Sequence, residues 1–109
     1  MAEITHRLAE ARSLALHTEV ARQLKRRPQL LESTRHRVER WLETGSVPLI
    51  WAEAWSKVLA GSIDDVVAAI TDPGEHARAM RQVSPFAGAL DPRTRWSILS
   101  TLREGADSS

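Results

Sequence analysis

The chain has 109 residues, enough for one domain that buries roughly two-thirds of its unfolded surface and too few for two independent cores. Apolar residues make up 42%, charged residues 27%, and 15 Lys+Arg against 14 Asp+Glu leave net +1. That balance excludes wholesale disorder, a fibre, and an overall field pulling the chain onto nucleic acid or anionic lipid. With no cysteine, disulfides, thiolate metal sites and a cysteine nucleophile are also excluded. The longest apolar run, Val47–Ala52, is far short of a membrane span, and Glu3, Arg7 and Glu10 interrupt any apolar leader. A soluble cytoplasmic protein with no membrane partner is expected.

The elements read as a continuous series of short amphipathic helices. The first is expected over Glu3–Arg26, with one stripe of Ile4, Leu8, Ala11 and Ala15 and another of Leu16, Val20 and Leu24. Pro28 ends it and opens the second, which carries Leu31, Thr34, Val38, Trp41 and Leu42 on one face and stops at Gly45. Pro48 begins the third, with Trp51, Trp55, Val58 and Leu59 at i, i+4, i+7 and i+8, and Gly61 ends it. Ser62 and Asp65 have capping-box spacing ahead of Ile63, Val66, Val67 and Ile70. Those β-branched residues would also suit a strand, and the cap decides for helix. Asp72-Pro73-Gly74-Glu75 is a further start signal, with Asp72 as N-cap and His76, Met80 and Val83 on one face. The uncharged segment Ser84–Leu90 breaks the periodicity, and Asp91-Pro92 opens the last helix, with Trp96, Leu99 and Leu102 facing inward. The expected architecture is an all-α compact bundle of about six short helices. It forms a single domain over residues 1–104, and residues 105–109 are expected to fray.

The motifs for chemistry are sparse. Of His6, His17, His36 and His76, no two lie at i,i+4, and His6 and His17 are about 16 Å apart along a helix, so no metal site is expected. Ser33 and His36 are i,i+3 with Glu32 and Glu39 nearby, but Arg35, Arg37 and Arg40 crowd that face, which reads as solvated and without a preorganised field. Asp64 and Asp65 complement a helix N-terminus. The five glycines are scattered, so no phosphate loop or cofactor fingerprint is present. No catalytic residue, cofactor or metal is assigned, and the chain is expected not to be an enzyme.

Charge is unevenly spread. Residues 1–44 hold nine Lys/Arg and six Asp/Glu, net +3, whereas residues 45–92 hold three and six, net −3. Most of this reads as solvated surface, with Glu3–Arg7 and Glu32–Arg35 as helical pairs. A nucleic-acid surface would draw on the Lys25-Arg26-Arg27 cluster, or on Arg78, Arg81 and Gln82 of a helix–turn–helix over Ile63–Val83. Asp64, Asp65, Asp72 and Glu75 crowd that second unit and would repel phosphates. Four tryptophans, with one Phe and no Tyr, exceed what so small a core buries easily. Trp96, between Arg95 and Ser97, is the one expected to lie partly exposed.

The stretch Arg81–Leu90, followed by Asp91-Pro92-Arg93-Thr94-Arg95-Trp96, resembles the C-terminal signature of small bacterial antitoxin-like proteins encoded beside a nucleotidyltransferase-type toxin. Ala9–His17 and Arg37–Leu42 resemble the same proteins, so the likeness spans nearly the whole chain. The resemblance implies a non-enzymatic antitoxin that binds and masks a cognate toxin. On that reading Ser84, Pro85, Phe86 and Leu90 supply an apolar docking element, Arg93 and Arg95 pair with carboxylates around the toxin's nucleotide site, and Trp96 belongs to the same partner-binding surface. The competing structural reading has Phe86 and Leu90 closing the domain's own core. The alternative function is a DNA-binding regulator that acts on its own operator.

Overall fold

The computed structural model describes the backbone of residues 2–108 and the side chains of residues 7–103. It contains α1 (Ala2–Arg26), α2 (Gln29–Thr44), α3 (Leu49–Leu59), α4 (Ile63–Ile70), α5 (Glu75–Arg81) and α6 (Pro92–Ser108), and no strand among the described residues. The all-α architecture is as expected. No helix among the described residues is long and apolar enough to cross a membrane.

The caps explain most boundaries. Gly45 takes φ +68 and donates its N–H to the Trp41 carbonyl, closing α2 in the left-handed conformation that glycine tolerates. Ser62 and Asp65 form a complete capping box, each side chain accepting the other's backbone N–H at 3.1 and 3.2 Å. The Asp91 carboxylate accepts both the N–H and the hydroxyl of Thr94, so α6 starts with an Asp cap and Pro92 in its first turn. One cap differs from expectation. Asp72 accepts the N–H of Gly74 at 2.7 Å, an Asx turn, and α5 begins at Glu75 behind Gly74 instead of behind Asp72.

The long helix α1 is the organiser. It packs on α2, α4, α5 and α6; α2 and α3 form a hairpin, and α3 also meets α4 and α5. At the centre lies Trp55, 1% exposed, with Leu24, Leu59, Val66 and Ile70 around it. Its indole N–H donates to the Met80 carbonyl at 3.3 Å, and its ring meets Phe86 edge-on at 6.1 Å.

Four of the expected faces shift. On α2 Leu31, Thr34 and Val38 are buried and Trp41 half-buried, while Leu42 is exposed. On α1 the buried residues are His17, Val20, Ala21 and Leu24, while Leu8 and Ala11 of the expected first stripe are exposed and Ile4 lies outside the described side chains. On α5 the buried residues are Ala77, Met80 and Arg81, and His76 faces water. On α6 it is Ile98, not Trp96, that packs against the core, with Leu99 and Leu102 half-buried. The expected fraying of residues 105–109 falls outside the described side chains.

Arginines bind the layers together by capping carbonyls. Arg35 donates to the carbonyls of Leu59 and Gly61 at the end of α3. Arg81, 6% exposed, donates to Ile70 and Asp72 at the end of α4. Arg37 donates to Pro85 and Ala87, fastening the α5–α6 connection onto α2. Each satisfies carbonyls that a helix end or turn leaves open, with a planar donor that stays charged.

Candidate binding groove

A groove of about 520 Å³ lies where α1, α2, the α5–α6 connection and the start of α6 meet. Its apolar floor includes Leu16, Val20, Trp41, Phe86 and Leu90, and Arg12, Arg81 and Arg95 stand in its walls. Among the described residues no Asp or Glu lines it. Among the described residues neither Arg12 nor Arg95 has an ion pair, and both are exposed.

One wall is locked by His17. Its Nδ1 lies 2.7 Å from the Ser13 carbonyl, which only accepts, so Nδ1 carries the proton. Nε2 then accepts from the Ser84 hydroxyl at 2.7 Å, and Ser84 Oγ in turn accepts the Phe86 N–H at 3.1 Å. Burial, helped by the neighbouring Arg81 charge, holds the imidazole below its ordinary pKa of 6.5, against the raising effect of the Ser13 carbonyl. The geometry has the Ser–His contact of a hydrolase dyad. Here a neutral carbonyl occupies the position of the orienting acid, and the Phe86 N–H is spent on Oγ itself. The cluster ties α1 to the α5–α6 connection. Its partners lie 67 residues apart, beyond any local spacing rule. The available signal was a histidine three and seven residues before Val20 and Leu24, on the buried stripe of α1.

The proposed docking element therefore needs correction. Pro85 is fully buried, Phe86 is 3% exposed and Leu90 is 8% exposed. Phe86 sits edge-on to both Trp55 and His17. Ser84 is half-buried and engaged with His17, and Pro85, Phe86 and Leu90 are buried within the domain's own fold. The rest of the assignment stays outside: Arg93 and Arg95 are exposed, and Trp96 is 70% exposed.

The α5 surface drawn on for nucleic acid is likewise occupied. Arg81 is buried on its two carbonyls, and Arg78 pairs with Glu10 at 2.9 Å with its Nε buried and unpartnered. Of that set only Gln82 is free at the surface, and α5 has only seven residues. Lys25, Arg26 and Arg27 are exposed at the end of α1, where Arg26 approaches Glu19 at 3.8 Å and Arg27 donates to Gln23. Ser33 and His36 do not meet: Ser33 donates to the Leu30 carbonyl, and His36 lies against Glu32 and Glu39 in water. No cluster of metal-ligating side chains exists among the described residues, and His6 lies outside the described side chains.

No protein-family model, curated protein or solved structure matches the chain. The functional reading accordingly rests on the residues and their arrangement.

Proposed function

We propose that the chain is a non-enzymatic interaction protein, the antitoxin of a bacterial toxin–antitoxin module, which neutralises its toxin by binding it. The observation that carries this reading is Trp96. It stands 70% exposed beside Arg95 on a helix whose main packing partner is α1 alone. A large ring left in water forgoes burial worth about 25 cal/mol per Å² of apolar surface. Tryptophan and arginine together are also the residue types that anchor protein interfaces. The resemblance of residues 81–96 to antitoxin-like proteins supports the same surface.

Co-expression with the product of the neighbouring gene tests it. The intact chain should relieve that product's toxicity and co-purify with it, and Trp96→Ala should lose both while remaining folded. Absence of a complex together with undiminished toxicity sinks the reading.

A second reading, autoregulatory binding to operator DNA, draws on the exposed Lys25-Arg26-Arg27 cluster. It predicts mobility shifts on upstream DNA that weaken steeply with salt and disappear when the three charges are removed. DNA binding that survives their removal refutes this assignment.

A further inference from the structure

The groove is one-signed as well as apolar. Among the described residues three guanidiniums and no carboxylate line it, and Arg81 is spent on carbonyls, which leaves Arg12 of α1 and Arg95 of α6 as its charges without an ion pair. Leu16 and Trp41 are half-buried in the same groove and offer apolar surface that the fold does not finish covering. Two cations without an ion pair among the described residues, set with an apolar floor, repel a basic partner and reward one that brings carboxylates beside an apolar stripe. An amphipathic helix has that form, with anchors at i, i+3 and i+4 and acids beside them.

We infer that this groove receives an acidic amphipathic segment of the partner protein, its carboxylates paired with Arg12 and Arg95 and its apolar side chains laid on Leu16 and Trp41. The inference rests on the interaction-protein reading and specifies the chemistry of the partner.

The test uses the full chain and a synthetic probe, a helical peptide of about 18 residues with Leu at i, i+3 and i+4 positions and Glu beside them. A control peptide carries Lys in place of every Glu. Binding is read by chemical-shift changes in the ¹⁵N-labelled protein. The acidic peptide should shift the Trp41 indole and the amides around Arg12 and Arg95, and bind more weakly as salt rises. The Lys peptide should bind at least about tenfold more weakly, and Arg12→Glu with Arg95→Glu should cost the acidic peptide a similar factor. Lys57→Glu with Arg103→Glu, the same charge change outside the groove, should leave binding unchanged.

Equal binding of the two peptides, no binding, or shifts elsewhere on the molecule would overturn the inference. So would a short DNA duplex shifting the groove where the acidic peptide does not, or self-association of the chain alone that Arg12→Glu and Arg95→Glu abolish. The two readings fail separately. If Arg12→Glu with Arg95→Glu still neutralises the toxin, the groove assignment falls and the antitoxin reading stands. If the acidic peptide binds as described while the toxin is not neutralised, the reverse holds.

Discussion

Phe86 and Trp96 lie ten residues apart and mark opposite fates for an aromatic ring. Phe86 is 3% exposed against Trp55 and His17, so truncation leaves a cavity in the middle of the core. Phe86→Ala should destabilise the chain by about 3–5 kcal/mol, a large share of the ~5–15 kcal/mol of a domain this size. Trp96→Ala should change stability by less than about 0.5 kcal/mol. Urea midpoints of the two variants check both values, and a Trp96 variant as unstable as the Phe86 one would place that ring in the core. His17 carries a pH prediction. Its folded-state pKa is lowered by burial, so the unfolded chain takes up a proton that the native chain resists. Stability should be flat above the unfolded value of 6.5 and fall as pH drops below it. His17→Gln should flatten the His17 part of that slope, measured as the urea midpoint between about pH 8 and about pH 5.

At the scale of elements, the legible features were those a side chain writes into its own neighbourhood. Gly45, Ser62–Asp65 and Asp91-Pro92 act within four residues, and all three caps form as their spacing implies. Asp72-Pro73-Gly74-Glu75 shows where that logic stops: the Asp carboxylate can serve the second or the third following N–H, and here it takes Gly74. Faces were harder to read than boundaries. The buried side of α5 includes Arg81, which no hydropathy pattern assigns to an interior, because its burial depends on carbonyls at the end of α4. The groove was less legible still. Trp41, Arg12 and Arg95 come from three separate helices; the sequence marked Trp41 as apolar face and Arg95 as partner contact, and nothing in it joined the three. The caps give a direct measurement. Gly45→Ala adds a Cβ that meets nothing within 4 Å, so its cost is the left-handed backbone alone, about 1 kcal/mol. Ser62→Ala removes the acceptor for the Asp65 N–H and should also cost about 1 kcal/mol. A shift of the denaturation midpoint at constant slope is the expected signature.

Across the whole molecule, stability should be graded along the chain. The second half of α1 buries Val20, Ala21 and Leu24 in the core, whereas α6 packs chiefly on α1 and offers the core Ile98. Opening α6 therefore exposes less apolar surface than opening α1. It leaves Phe86 and Leu90 in place, because Arg37 of α2 and His17 of α1 hold their connection. Native-state hydrogen exchange should accordingly show α6 amides opening at a lower free energy than those of residues 17–24, as a separate cooperative unit. The same gradient makes the proposed partner surface adjustable, since α6 carries Arg95 and Trp96 while α1 carries Arg12. A segment seated between them would bridge the least and most stable helices and raise protection in α6 selectively. Equal opening energies for α6 and residues 17–24 in the free chain would show one cooperative unit and refute the gradient. Protection gained uniformly on binding would instead place the partner on the core helices.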